Sequence, residues 1–431
     1  MIINFSIQNF GSIKEKQTLS FEADSSTHLE GIYVINSNGI RLLKIALIYG
    51  ANASGKTTIL KALEFLREIV LEPGSKKTDE LDFQPFLFDP ETPKKNSIIS
   101  IEFIQSGTKY AYQVEFYKKA IVSETLNYFN PNKANVFKRD TDIGNQFTEI
   151  SFGSKIRRDK TMEKSLEANT LWNNTVLGGF LKTNVDIKEL KDVVDWFKNY
   201  LRPLIHTRTQ LEGFVTAKVD SGEIFKGDII NILKNADLQI SDIIIEKEGR
   251  EIPNGFIDFV KNQLNAPVDE VKKLEEMGKV TTVSVQFEHM INEVKYALPI
   301  ELESQGTRRY YGFAGLLALL IKNSTAFSID ELESSLHPDL YIHFILSFLL
   351  NTDKSQIIAT THNREILNNK DIFRSDAIWF ADKMDNCSTE LYSLSDFDSS
   401  IVRNTTNILN AYKSGKLRGT PNLADHFIDL K

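Results

Sequence analysis

The chain has 431 residues, 41% hydrophobic and 25% charged, an ordinary composition for a globular protein of two or three domains or one elaborated domain. Its net charge of −7 excludes the whole chain as an electrostatic nucleic-acid binder. Its single cysteine, Cys387, excludes an internal disulfide framework and fits a reducing cytoplasm.

Ile3, Phe5 and Ile7 alternate with polar residues, so the chain opens on a half-buried strand. It lacks the basic region and apolar core of a signal peptide. Asn9–Glu22 reads as a turn and a second strand with Leu19 and Phe21 inward. The apolar run Leu42–Tyr49 then leads into GANASGKT, Gly50 to Thr57, followed by a helical pattern with Ile59, Leu63, Leu66 and Val70 on one face. Pro73-Gly74 ends that helix.

This stretch matches the phosphate-binding pattern G-x-x-x-x-G-K-[ST] with the strand and helix that the pattern requires. Gly50 and Gly55 let the backbone turn tightly, so that successive N–H groups face phosphate oxygens. The helix starting near Lys56 adds the positive end of its dipole. Lys56 can reach the β- and γ-phosphates, and the Thr57 hydroxyl can ligate Mg²⁺. The expected nucleotide-binding set is Gly50, Asn52, Ser54, Gly55, Lys56, Thr57 and Thr58.

Further on, Ile99, Ile101 and Phe103, a QSGT turn, and Tyr110, Tyr112, Val114 and Phe116 predict a β-hairpin. KIRRDK, Lys155–Lys160, is either a local basic contact or a solvated loop. From about Ser165 the period turns helical, through Leu166–Phe180, Asp186–His206, PNGFIDFVKNQL and VDEVKKLEEMGK. Strand alternation returns at Val283–Phe287 and near Val294–Pro299. Phe313–Ile321 is the longest apolar run; it falls short of the roughly 18 residues that span a membrane and reads as a buried helix.

Three segments complete a site on paper. Ser304 and Gly306 sit at the start of that apolar helix, as an anion site or as a plain N-cap. Ala326–Asp330 followed by Glu331 reads as a Walker B strand, in which Asp330 holds Mg²⁺ and Glu331 takes a proton from the attacking water. Pro338, with its fixed φ, reads as a first helical residue and opens an apolar helix. The buried-type strand Ile357–Thr361 ends in His362, where ligands of open α/β sheets gather. Ile378–Asn386 reads as a last strand and turn.

In order, the P-loop, SQGT (Ser304–Thr307), SIDE (Ser328–Glu331), SSLH (Ser334–His337) and TTHN (Thr360–Asn363) resemble the ABC-type ATPase head, in its RecF/SMC-like branch. The set is most similar to bacterial stand-alone AAA-family ATP-binding proteins, including the ATPase components of AbiL-type and PARIS-type phage-defence systems. Glu303–Thr307, Asp330–Pro338, and Tyr412 with GKLRGTP (Gly415–Pro421) match features of that group. The resemblance covers 1–120 and 280–431 well and the middle poorly. SQGT departs from the transporter-type SGGQ, and His337 stands where many members carry Asp.

What the resemblance implies is an α/β fold, an ABC-type P-loop ATPase head of mixed sheet and antiparallel β subdomain with a helical insertion. Residues 1–150 would form the N-terminal lobe, 151–280 the mainly helical insertion and 281–431 the C-terminal lobe. Lys56 and Thr57 would hold phosphate and Mg²⁺, Asp330 Mg²⁺, and Glu331 the water, with His362 as switch histidine and Gln84 as Q-loop metal contact. Ser304 and Gly306 would act in trans on a second subunit, giving a homodimer or higher homo-oligomer that sandwiches ATP. The implied role is a cytoplasmic sensor or scaffold, without membrane association, that controls a separate effector, a nuclease or toxin, in antiphage abortive infection. The alternative is a RecF-like repair ATPase that loads on DNA ends. The chain lacks an NKxD guanine-reading motif and the acidic spacing of Toprim nucleases.

Overall fold

The computed structural model describes residues 1–251, 279–397 and 408–420. PNGFIDFVKNQL and most of VDEVKKLEEMGK, both expected to be helical, lie outside the described residues. The chain forms two compact units. The first comprises Met1–Thr209, Leu320–Ser334 and Tyr341–Lys431, and the second Gln210–Leu319 and Ser335–Leu340.

The first unit holds two large sheets. Strands β1 (Ile2–Gln8), β2 (Gln17–Ser20), β6 (Ser97–Gln105), β7 (Thr108–Tyr117), β8 (Ala120–Phe129), β9 (Lys133–Asp142) and β10 (Phe147–Phe152) form an antiparallel sheet in the order β10-β9-β8-β7-β6-β1-β2. The expected hairpin is β6–β7, with Ile99 opposite Val114 and Ile101 opposite Tyr112. Between these strands, β3 (Val34–Ser37) and β4 (Ile40–Leu43) pair as a small ribbon.

The second sheet carries the motifs. It consists of β5 (Ile45–Tyr49), β14 (Ala326–Ile329), β15 (Gln356–Thr360), β16 (Ile378–Lys383) and β17 (Thr389–Ser393), in the order β14-β15-β5-β16-β17. All neighbours are parallel except β16 and β17. Strands β5, β14 and β15 are buried along their whole length, which is why each reads as a continuous apolar run rather than as an alternation. β17 follows the strand expected to be last, because Thr389, Leu391 and Ser393 alternate inward and pair it with β16.

Gln356 fastens the two sheets. Its Oε1 accepts from the Ile2 amide at 2.6 Å and the Tyr200 hydroxyl at 2.9 Å, and its Nε2 donates to the carbonyls of Ile2 and Leu43 at 3.0 Å each. All four hydrogen-bonding positions of this buried amide are thereby used.

The expected helical run Asp186–His206 needs one correction. Helical turns cover Lys188–Tyr200, and Leu201–Ile205 then runs extended, bridging in parallel to Ala326 and Ile329 beside β14. Pro203 forces this change, since it disfavours helical dihedrals at Arg202 and lacks an amide to continue the helix.

The second unit pairs β11 (Ile240–Glu251), β12 (Lys279–Ile291) and β13 (Val294–Pro299) into an antiparallel sheet. The stretch expected to be mainly helical therefore carries helices up to Asn235 and then a strand. The β-branched run Ile243–Ile245 favours the strand, and β12, distant in sequence, supplies its partner. Helix Gln305–Lys322 contains the longest apolar run, buried from Phe313 to Leu320, with Ile321 at its end exposed. Gly312 and Gly315 let it approach Leu211 and Val215 so closely that a Cβ at either glycine would overlap those side chains.

Candidate functional site

Strand β5 stops at Gly50, whose Cα sits against the Ala381 carbonyl; a Cβ there would overlap that oxygen. The loop turns through Ala53 and Gly55, both in the left-handed region at φ 61° and 96°. At Gly55 a Cβ would overlap Thr389 Oγ1 and crowd Ser12 Oγ. Thr389 Oγ1 lies 2.7 Å from Ser12 Oγ and 2.9 Å from the Ser54 carbonyl, and Ser12 Oγ donates to Thr58 Oγ1 at 3.1 Å. Residues from the two ends of the chain thus brace the loop from behind.

The helix Lys56–Leu71 starts there, with no side chain capping its first turn. Its expected face, Ile59, Leu63, Leu66 and Val70, is buried. Lys56 is 6% exposed, and its Nζ donates to the carbonyls of Gly50 and Ala51 at 3.0 Å each. Burial lowers the Lys56 pKa, opposed by the charges of Asp330, Glu331 and Glu333. Ser54 is buried and its Oγ has no partner among the described residues; Asn52 is exposed at the loop tip.

The parallel register brings the carboxyl ends of β14 and β15 to one side of this loop. Asp330 follows β14 and is 8% exposed. Thr57 Oγ1 donates to its Oδ1 at 3.0 Å, and Thr360 Oγ1 donates to the same oxygen at 2.6 Å. The Glu331 amide donates to Thr360 Oγ1 at 2.8 Å, and the Leu332 amide to the Thr360 carbonyl at 3.0 Å. Glu331 itself adopts φ 50°, a left-handed conformation that is strained for a non-glycine residue. His362 follows β15, and its amide donates to the Glu333 carboxylate. Burial and then the Lys56 charge lower the His362 pKa; Glu333 and Glu331 oppose this and Arg364 adds to it. The imidazole is therefore neutral at neutral pH.

Lys56, Thr57, Asp330, Glu331 and His362 thus meet, as their motifs anticipate. Gln84 is different. Its side chain is exposed, and its carbonyl accepts from the Gly11 amide at 2.7 Å, Gly11 in turn abutting Thr58. Ser304 and Gly306 belong to the second unit, at the start of helix Gln305–Lys322. Ser304 Oγ accepts from the Thr307 amide at 3.0 Å, so the N-cap is formed, and Gly306 lies within the first turn beside the Ser335 carbonyl. His337 is exposed and faces Asp339 at 3.5 Å.

Four contributors carry no assigned role in the sequence reading: Thr360 and Glu333, which lie inside the TTHN and Asp330–Pro338 segments, and Ser12 and Thr389. Only Thr360 leaves a sequence signal, a polar residue closing the buried run Gln356–Thr360 at a strand's carboxyl end. Tyr412 gains a physical role. Its hydroxyl donates to the Gly419 carbonyl at 3.0 Å, its ring stacks on Phe380 at 5.2 Å, and the Arg364 guanidinium sits 5.2 Å from its centroid. Arg418 of the basic turn pairs with Asp382 and Glu390.

The arrangement suits a nucleoside triphosphate. Uncapped amides, two glycine positions that no Cβ can fill, an unpartnered serine hydroxyl and a buried lysine converge on one loop. Thr57 and Asp330 supply two hard oxygen donors suited to Mg²⁺.

The family model described as "AAA domain, putative AbiEii toxin, Type IV TA system" matches residues 45–368, from β5 through His362. The chain belongs to that family. Its fold is mixed α/β, with the P-loop at the carboxyl end of the central strand β5. No curated protein matches the chain. Among solved structures, the SMC head domain from Thermotoga maritima is 14% identical with a TM-score of 0.40, covering 91% of this chain and 98% of its own. An SMC head bound to the C-terminal winged-helix domain of ScpA is 13% identical with a TM-score of 0.45, covering 91% and 97%. Among the described residues of this AAA-domain protein, no helix is long and apolar enough to cross a membrane.

Proposed function

We propose that this chain is an ATPase that binds ATP with Mg²⁺ between its P-loop and Walker B segment and hydrolyses it at a subunit interface. The observation that carries the reading is the Thr57–Asp330 hydrogen bond at 3.0 Å, which joins two motifs 273 residues apart into one oxygen pair. Lys56 exchanges its two carbonyl partners for phosphate oxygens, and the uncapped amides of the first turn face the same group. Thr57 and Asp330 would hold Mg²⁺, which would shield phosphate charge when bound. Glu331 orients the attacking water and accepts its proton. Neutral His362 offers one N–H or one lone pair toward the γ-phosphate end of the loop.

Ser304 and Gly306 act in trans, so two copies or a higher homo-oligomer complete each site. Residues 1–150 and 281–431 serve as the lobes of the head and 151–280 as the insertion, of which Ser165–Lys279 acts as a helical lever or docking arm. In this reading the protein works in the cytoplasm as sensor or scaffold for a separate nuclease or toxin in antiphage abortive infection. The family description, which names a putative AbiEii toxin and a type IV toxin–antitoxin system, supports a place in such a system. Gln84 is the Q-loop contact if its side chain swings in from the surface on nucleotide binding.

The test is ATP turnover per subunit against protein concentration, for wild type and Glu331→Gln. Turnover that rises with concentration and vanishes in the variant supports the trans-assembled site. Turnover that is independent of concentration in a monomeric sample overturns it.

A further inference from the structure

Past Thr361, whose amide still donates to the Ile48 carbonyl at 3.0 Å, β15 leaves its ladder with β5. The next amide, that of His362, meets no backbone acceptor among the described residues. The Glu333 carboxylate takes it, from the turn that follows β14. That turn is stitched to β15 at two further points, the Glu331 amide on Thr360 Oγ1 at 2.8 Å and the Leu332 amide on the Thr360 carbonyl at 3.0 Å. Glu333 therefore springs from a fixed backbone and reaches across to the residue that carries the imidazole.

A neutral acceptor would serve that amide as well, so the carboxylate needs an explanation of its own. Glu333 is half-buried, and its second oxygen, Oε2, is sealed from solvent with no donor among the described residues. A buried anionic oxygen without donors costs stability, and its charge acts with little screening on what stands near. Tyr49, which closes β5, and Tyr341, on the helix Pro338–Asn351, are wholly buried. Burial first, with the Glu333 charge adding to it, pushes both phenols up. These neighbours bring no water to the acid.

The same charge reaches His362. Burial and then Lys56 lower the imidazole pKa; Glu333 is the largest influence in the other direction, Glu331 adds to it, and Arg364 sides with Lys56. On Lys56 itself, Asp330, Glu331 and Glu333 oppose burial in that order. Asp330 and Glu331 already have proposed partners in Mg²⁺ and the attacking water. Of the three acids, Glu333 is the one left to act on the imidazole.

We propose that Glu333 is the positioning residue for His362: one carboxylate oxygen anchors its backbone at the end of β15, and the carboxylate's charge acts on its ring. Only the consequence for turnover rests on the ATPase reading; the contact itself belongs to the nucleotide-free protein. An anchored His362 backbone lets the neutral imidazole meet the γ-phosphate end of the loop without a search, so the effect falls on kcat rather than on ATP affinity. The Glu333 charge favours imidazolium, so without it protonation waits for lower pH.

The experiment compares wild type with two variants of this residue. Glu333→Ala removes anchor and charge together, whereas Glu333→Gln keeps an acceptor for the amide and removes the charge. Glu365→Gln, an exposed acid three residues beyond His362, is the charge control. For each protein, turnover is followed against pH with ATP affinity from calorimetry. In nucleotide-free, histidine-labelled protein, NMR follows the titration of the His362 ring, assigned by its loss in His362→Gln. Glu333→Ala is expected to lower kcat about tenfold or more at unchanged KM, and Glu333→Gln to restore part of that loss. In Glu333→Gln the ring titration and the acid limb of turnover should both move to lower pH; in the control neither should move. If Glu333→Ala does not fold, Glu333→Gln carries the test alone. Ring titration in Glu333→Gln that matches wild type, an equal displacement in the control, or wild-type kcat in Glu333→Ala overturns the proposal. So does ATP affinity lost in both Glu333 variants, which would make the residue a support of the phosphate loop. A wild type that binds ATP without turnover refutes the ATPase reading instead, and the ring titration then still decides on Glu333.

Discussion

The Thr360 hydroxyl donates to Asp330 Oδ1 at 2.6 Å, and its own Oγ1 accepts from the Glu331 amide at 2.8 Å. One side chain from β15 therefore sets the carboxylate proposed for Mg²⁺ and the backbone of the residue proposed for the water. Thr360→Val keeps the shape and removes both bonds. It is expected to lower kcat by about 10–100-fold, as outer-shell partners do, and to cost about 1–3 kcal/mol of stability from the unpaired Glu331 amide. Steady-state turnover and a urea melt on the same sample check both numbers.

Gly55→Ala adds a methyl against Thr389 Oγ1 at φ 96°. Backbone strain alone costs about 1–3 kcal/mol, and the loop must also shift away from its brace. Nucleotide titration by calorimetry is expected to show ATP binding lost, with the melting temperature lowered as well.

His362 titrates below the ordinary imidazole value of 6.5, because its charged form is desolvated and faces Lys56. A lowered pKa keeps the ring neutral through neutral pH, so protonation sets in only on the acid side. Turnover should hold level from pH 7 to 8 and fall in the acid range below 6.5. In His362→Gln that acid limb should be absent, which a pH–rate profile of both proteins reads directly. Lys56, lowered by burial, loses its proton before an ordinary lysine does, so ATP affinity should decline on the alkaline side below 10.5.

Gln356→Leu leaves the amide and carbonyl of Ile2 and the Leu43 carbonyl without their partner, while the Tyr200 hydroxyl keeps the Lys354 carbonyl at 3.2 Å. Each buried group left open costs about 1–3 kcal/mol, so a loss above about 3 kcal/mol is expected in chemical denaturation. The antiparallel sheet should lose hydrogen-exchange protection at β1 first.

The trans arrangement makes a mixing prediction. Lys56→Ala and Gly306→Glu should each be inactive alone. Mixed after dissociation, they form heterodimers in which one site pairs an intact P-loop with an intact Ser304–Gly306 turn, and turnover returns. Activity that stays absent in the mixture, with heterodimers shown by sizing, rejects action in trans.

The parts of the site that are local in sequence were legible there. A glycine turn between an apolar strand and an amphipathic helix needs no tertiary information, and β5, Lys56 and the helix lie where the pattern places them. Asp330 and His362 were readable because buried strands announce themselves as apolar runs whose ends face one way in a parallel sheet. Ser12 and Thr389 were not, since they reach the loop across the whole length of the chain and carry no periodic signal of their own. β11 escaped for a related reason. Its charged second half lacks an apolar face, and its pairing with β12 is a long-range choice that local propensity does not encode. Leu201–Ile205 could have been caught, because Pro203 stands in the middle of it.

The strand order makes the phosphate loop one-sided. β15 and β14 lie to one flank of β5 and bring Thr360, Asp330, Glu331 and His362, while β16 and β17 lie to the other and bring the Ala381 carbonyl and Thr389. On that second flank, backbone and side chain already touch the loop with no room for a methyl group. It behaves as an anvil. A change in what the loop holds has nowhere to recoil on that side, so it is delivered to the carboxylate and imidazole opposite. Substitutions along the inner edge of β16 and β17 should therefore blunt how sharply the protein tells one nucleotide state from another, even where they leave its grip on phosphate intact.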